Sequence, residues 1–202
     1  MIARSRGALA VVGALLLCLA APAAAQQLSE RSAAELMDVL MWSREPVGGP
    51  FALVDHTGKR RTDADFRGKL LLLYFGFTYC PDVCPTDLQA IGQALIQLGR
   101  SADDVQPVFV TLDPDRDTSR RLADYVTFFH PRLIGLTGDA SAIRQAARAY
   151  KVYYAKVPAR SGYTIDHSGY VYLMDRGGKY LGFFPPGTPP ERMAEVIRPH
   201  AD

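Results

Sequence analysis

Cysteine is scarce in this chain of 202 residues: three are present, and one of them, Cys18, sits inside an apolar leader. A disulfide-rich scaffold is thereby excluded. Histidine occurs four times and tryptophan once. Neither sign of charge is in excess: there are 23 basic and 21 acidic side chains, and removing Arg4 and Arg6 of the leader leaves 21 of each. With no basic stripe and no aromatic-and-arginine cluster, no nucleic-acid partner is expected. After residue 25 no apolar run is long enough to cross a bilayer, and the rest of the chain has neither internal repeats nor low-complexity tracts.

What is present begins with that leader. Arg4 and Arg6, the apolar stretch from Ala8 to Ala21 and the small residues Ala23-Ala24-Ala25 before Gln26 have the layout of a secretory signal peptide. Cys18 follows the bulky Leu17 where a lipid-attachment site would carry a small residue, so cleavage after Ala25 fits best. An uncleaved anchor over residues 7–25 is the rival, because the run approaches the ~20 residues of a spanning helix; Pro22 and the short apolar centre weigh against it. Export places the rest in an oxidising compartment, where a thiol pair is a structural disulfide or is kept reduced for a purpose.

Residues 26–45 form a polar lead-in, and Pro46-Val-Gly-Gly-Pro50 marks the start of one domain running to residue 202. Phe51–Asp55 reads as a strand. Leu70–Phe77 reads as a strand apolar on both faces, hence central and covered on both sides. Helices are predicted over Thr86–Leu98, Thr118–Phe129, Asp139–Tyr150 and Pro190–Ile197, and a buried strand over Val105–Leu112. Tyr170–Asp175 and Lys179–Phe184 flank Arg176-Gly177-Gly178 as a hairpin. Alternating strands and helices followed by a hairpin and a helix predict an α/β thioredoxin-like sandwich, a central mixed sheet flanked by helices.

Cys80 and Cys84 lie in Tyr74-Phe-Gly-Phe-Thr-Tyr-Cys-Pro-Asp-Val-Cys-Pro85, between the central strand and the next helix. Pro85 suits a first helical turn, which puts Cys84 at the helix start, where the dipole favours a thiolate and a lowered pKa. The spacing is compatible with a disulfide, with thiol exchange and with two-sulfur coordination of one ion. A third ligand would separate these. His200 is near the C-terminus and reads as solvated; His56 in a turn and His130 before Pro131 read as structural, His130 as a helix C-cap partner. His167 reads as part of a loop at the entry to a core strand, a loop that in a thioredoxin-like topology faces the cysteine loop, and on spacing alone a surface role and a functional one weigh about equally. Asp117 reads as an N-cap and Asp113 as a turn former at the carboxyl end of a central strand, where sites collect.

Four blocks in order carry a resemblance: Phe75-Gly-Phe-Thr-Tyr-Cys80-Pro-Asp-Val-Cys84-Pro85, Leu112-Asp-Pro-Asp-Arg-Asp-Thr118, Gly135-Leu-Thr-Gly138 and Asp166-His167-Ser-Gly-Tyr-Val-Tyr-Leu-Met-Asp175. Together they make the chain resemble the SCO/SenC copper chaperones of cytochrome c oxidase assembly over residues 46 to about 198. The resemblance implies a thioredoxin-like fold, with Cys80, Cys84 and His167 as ligands of one copper ion, as Cu(I) or Cu(II). It also implies the copper-carrying subunit of the oxidase as partner, other periplasmic copper or thiol-redox proteins being alternative clients. Members of the family are often held to the inner membrane by an uncleaved helix, whereas this leader reads as cleavable.

The competing reading is a thiol-disulfide oxidoreductase that keeps the acceptor's cysteines reduced, needing Cys80 and Cys84 but not His167. A thiol peroxidase is weaker, since no arginine near Cys80 in the sequence offers to activate a peroxide. A purely structural disulfide is weaker too, because so short a loop gains little from closure.

Overall fold

The structure is a computed structural model that describes residues 46–201. The leader and most of the lead-in therefore lie outside the described residues. The elements are β1 (Ala52–Asp55), β2 (Arg60–Thr62), β3 (Leu70–Gly76), α1 (Val83–Leu98), β4 (Val105–Thr111), α2 (Ser119–Val126), β5 (Ile134–Thr137), α3 (Ala140–Ala149), β6 (Tyr154–Pro158), β7 (Tyr163–His167), β8 (Val171–Met174), β9 (Tyr180–Phe184) and α4 (Pro190–Ala201). Short 3-10 helices, Asp63–Phe66 and Gly99–Asp104, follow β2 and α1.

Seven strands form one mixed sheet in the order β2-β1-β5-β4-β3-β8-β9. β3, β4 and β5 run parallel, while β8, β9 and β1 pair antiparallel. Within it, β9-β8-β3-β4 with α1 and α4 is the thioredoxin-like core the sequence predicts.

The leucine run becomes β3 because every residue from Leu70 to Gly76 is buried, as a strand covered on both faces requires. Successive side chains point to opposite faces. Tyr74 stacks on Phe109, which meets Tyr125 of α2, whereas Phe75 meets Tyr150 just beyond α3. The two faces of the sheet are thus sealed by different helices. α1 and α4 pack against each other, and α3 packs on β1.

α3 opens on Asp139, whose carboxylate accepts from the N–H groups of Ser141 and Ala142 at 2.8 Å. It closes in a Schellman turn: Val152 N–H donates to Ala147 O at 2.8 Å and Lys151 N–H to Arg148 O at 3.1 Å.

Two features depart from the expected elements. α1 starts at Val83, three residues before the predicted Thr86, so Cys84 lies inside its first turn. Between α3 and β8 the chain forms β6 and β7, a ribbon paired only with itself, with Tyr154 opposite His167. His167 is therefore the last residue of a strand rather than part of a loop.

Candidate metal centre

The register of the sheet decides what meets at its edge. Gly76 at the end of β3 pairs with Thr111 of β4, and Tyr74 pairs with Val171 at the start of β8. The turn after β3, the turn after β4 and the chain entering β8 are consequently neighbours, the edge at which sites collect in open α/β sheets.

The turn after β3 is fixed from below. The buried carboxylate of Asp117 accepts from Thr78 N–H at 2.9 Å, Thr78 Oγ1–H at 2.6 Å and Thr111 Oγ1–H at 2.7 Å. Asp117 is therefore not the N-cap that its sequence position suggested. Thr118 caps α2 instead, its Oγ1 accepting from Arg121 N–H at 3.2 Å. The three inward donors hold Asp117 away from the helix end, and burial raises its pKa.

On this support the sulfurs of Cys80 and Cys84 and a ring nitrogen of His167 come within 4.8 Å of one another. Cys84 is fully buried, while Cys80 and His167 are partly exposed. Cys84 Sγ lies 3.4 Å from His167 Nε2, and Cys84 N–H donates to Cys80 Sγ at 3.4 Å. His167 Nδ1 lies 3.1 Å from Ser168 O. A carbonyl only accepts, so Nδ1 carries a proton toward it and Nε2 is the ring atom that faces the sulfurs, the arrangement that backbone carbonyls impose on metal-binding histidines. The rings of Phe77 and Tyr74 meet the imidazole edge-on at 5.9 and 6.4 Å and limit its rotation.

The thiolate is not where the sequence placed it. The Cys80 pKa is lowered to about 4, first by the Cys84 thiol hydrogen-bonding to it, then by His167 and the N–H groups of Asp82 and Cys84, with partial burial opposing. Cys84 is raised, by the same pairing and by burial. The pair shares one proton. Free N–H groups of a helix start point out of the helix, and Cys80 rather than Cys84 stands in front of them. Neither cysteine is joined in a disulfide.

The other histidines stay outside the cluster. His56 exchanges two bonds with Gly135, its N–H donating to Gly135 O at 2.8 Å and its Nδ1 accepting from Gly135 N–H at 3.1 Å. His130 accepts from Arg132 N–H at 3.2 Å rather than capping α2, which ends at Val126. His200 lies exposed in the last turn of α4. Asp113 is buried, bound to the Arg116 guanidinium through one oxygen and to the Tyr163 hydroxyl through the other at 2.7 Å.

Sequence reasoning missed four residues here. Asp87, one helical turn after Cys84, is buried; one oxygen accepts from Gly187 N–H at 2.9 Å and the other has no partner among the described residues. Tyr74 is buried, its hydroxyl has no partner within ordinary hydrogen-bond distance among the described residues, and burial together with the nearby Cys84 and Asp87 raises its pKa. The spacing of three from Cys84 was the available signal for Asp87. Arg116 and Arg121 both lie over the ring of Tyr79, at 4.7 and 5.1 Å. Arginines distant in sequence thus do reach the residue beside Cys80.

A thioredoxin-like sheet that sets two thiols from one helix start against an imidazole from an added ribbon defines a soft-metal-binding thiol protein. The sequence profile described as SCO1/SenC matches residues 41–202, and the chain belongs to that family. It is 44% identical over 156 residues to "Protein SCO2 homolog, mitochondrial" of Bos taurus, a match covering 75% of this chain and 59% of that protein. ScoI of Bradyrhizobium japonicum, solved with copper bound, superposes with a TM-score of 0.72 at 42% identity, over 76% of this chain and 99% of that one. A SCO1/SenC family lipoprotein of Bacillus anthracis superposes at 0.66 with 25% identity, over 79% and 99%. Relatives thus include mitochondrial proteins and a bacterial lipoprotein. Among the described residues no helix is long and apolar enough to cross a membrane.

Proposed function

We propose that this protein is an exported chaperone that takes up one copper ion on Cys80, Cys84 and His167 and delivers it to the dinuclear copper centre of cytochrome c oxidase. The observation that carries the reading is the convergence of those three ligand atoms within 4.8 Å. Two sulfurs suit Cu(I), and the imidazole extends the set to Cu(II), so one site serves both oxidation states. Because Cys80 and His167 are partly exposed while Cys84 is buried, an acceptor's ligands can reach the ion from one side and displace Cys80 or His167 first. Export rests on residues 1–25 as a signal peptide into the periplasm, with anchoring to the inner membrane through residues 7–25 as the rival. Residues 26–45 form the lead-in and 46–202 the copper-binding domain. The partner is the copper-carrying subunit of the oxidase, as the family resemblance implies.

Anaerobic titration of the reduced protein with Cu(I) and Cu(II) tests this. One ion per chain is expected, with both Cys84→Ser and His167→Ala weakened. Unchanged binding in His167→Ala would remove the reading.

The asymmetry of the thiols favours a second activity at the same place. Cys80, present as thiolate, attacks an acceptor disulfide and forms a mixed disulfide; Cys84 then closes the Cys80–Cys84 bond and releases the acceptor as a dithiol. Two electrons move to the acceptor, and an exported dithiol reductant must restore the pair. Reductase activity that survives His167→Ala, in protein that binds no copper, would favour this reading over the first.

A further inference from the structure

The β6–β7 ribbon that carries His167 makes no ladder with the main sheet. A lone two-stranded ribbon is marginal in water, so its placement, and with it the third ligand, depends on side-chain anchors. At its base Ser168 and Tyr153 hold each other, with Ser168 N–H donating to Tyr153 O at 3.0 Å and Tyr153 N–H to Ser168 Oγ at 3.2 Å. Halfway along, Ile165 is buried in the core.

The far end is held by Arg116. Its guanidinium carbon lies 3.9 Å above the ring of Tyr163, and its Nη1 donates to Tyr163 O at 3.0 Å. Asp113 anchors both partners, binding Arg116 through Oδ2 and accepting from the Tyr163 hydroxyl at 2.7 Å. The same guanidinium carbon also lies over the ring of Tyr79, 4.7 Å from that ring's centroid. Tyr79 immediately precedes Cys80. Tyr163, Ile165 and His167 alternate onto one face of β7. Arg116 therefore touches the neighbour of one candidate ligand and the strand of another, its hydrogen bonds going to Asp113 and Tyr163 rather than to the ligands themselves.

We infer that Arg116, seated on Asp113, is a positioning residue that registers the histidine ribbon against the cysteine turn and so tunes the site toward Cu(II). This rests on Cys80, Cys84 and His167 being the copper ligands. The direction follows from donor chemistry: two thiolates satisfy Cu(I), whereas Cu(II) gains from the imidazole. A looser ribbon costs Cu(II) more than Cu(I). Lysine cannot replace the arginine, because only a planar fork lies over two rings while also reaching a carboxylate and a carbonyl.

The test compares wild type, Arg116→Met, Arg116→Lys, Tyr163→Phe and His167→Ala as full-length reduced protein. Cu(I) and Cu(II) titrations are read beside amide hydrogen exchange of residues 154–167 without metal. Arg116→Met should lose about tenfold or more in Cu(II) affinity, the usual effect of removing a residue that orients a ligand, with Cu(I) affinity nearly kept and faster exchange in the ribbon. Arg116→Lys should not restore either. Tyr163→Phe, which keeps the ring but loses the bond to Asp113, should shift both readouts in the same direction by less; it also keeps the test open if Arg116→Met fails to fold. If His167→Ala loses Cu(II) while a folded Arg116→Met or Arg116→Lys keeps wild-type Cu(II) affinity and wild-type exchange, the inference is overturned. If His167→Ala binds as wild type, the ligand assignment fails instead, and the exchange data alone then decide whether Arg116 holds the ribbon.

Discussion

A β-carbon on Gly76 would stand 2.8 Å from the sulfur of Cys84. The same carbon would meet ring atoms of Phe109 at 3.0 Å and Tyr74 at 3.1 Å, so there is no free direction for it. The missing side chain is the space that the buried thiol occupies. Gly76→Ala should therefore cost about 1–3 kcal/mol of stability by overpacking and weaken copper binding by displacing Cys84. Urea unfolding and Cu(I) titration of the variant check this; wild-type values in both would show that the strand end yields without disturbing the sulfur.

The shared proton of the thiol pair predicts a pH profile. With the Cys80 pKa lowered to about 4, iodoacetamide should trap Cys80 of the reduced, metal-free protein at a nearly constant rate from pH 8 down to 5, then lose it as pH falls through about 4. Cys84, buried and raised, should stay unmodified. For stability, the lowered group contributes fully above the unfolded thiol pKa of about 8.5 and loses that contribution as pH falls through its folded value. The raised group loses its contribution as pH rises above that same unfolded value. The pair's contribution should thus peak near the ordinary thiol pKa. A Cys80 alkylation rate that falls tenfold per unit from pH 8 to 7 would show an ordinary thiol there.

The sheet core was legible because β3 is a run of large apolar residues and the β8–β9 hairpin carries its own turn signal at Arg176-Gly177-Gly178. The cysteines were legible for the same reason, lying between two strong elements. β6 and β7 were not, because Lys156, Val157 and Pro158 are exposed on a ribbon with little apolar alternation. Its fold is set by Tyr163, Ile165 and Asp113, contacts that no local pattern announces. Asp117 misled for a related reason: the residue before a helix start usually caps it, but three buried donors from Thr78 and Thr111 outbid that role. The assignment of the thiolate to Cys84 failed because helix position alone does not say which sulfur faces the free N–H groups.

Asp87 should be a pH-dependent cost to the fold. Burial raises its pKa, and a carboxyl raised on folding contributes stability below its unfolded pKa that is lost as pH rises. Asp87→Asn keeps an acceptor for Gly187 N–H and cannot ionise. The stability of wild type relative to Asp87→Asn, from urea unfolding at pH 4 and pH 7, should move against wild type at the higher pH. A difference that is the same at both would mean that Asp87 ionises in the fold as freely as in the unfolded chain.

Asp117 separates the geometry of a carboxylate from its charge. Asp117→Ala strands the Thr78 amide and two hydroxyls in the interior, at about 1–3 kcal/mol for each unsatisfied group, and frees the turn that presents Cys80. Asn behaves differently. Its oxygen can replace Oδ2, accepting from Thr78 N–H and Thr111 Oγ1–H, while its amide donates to Thr78 Oγ1 where Oδ1 stood. The charge removed was already disfavoured by burial. The Thr78 hydroxyl hydrogen is then the one donor left without its acceptor, so Asp117→Asn should cost about 1–3 kcal/mol and keep copper affinity near wild type, whereas Asp117→Ala loses more of both. Equal losses in the two variants, measured by urea unfolding and Cu(I) titration, would show that the negative charge rather than the set of hydrogen bonds holds the cysteine turn.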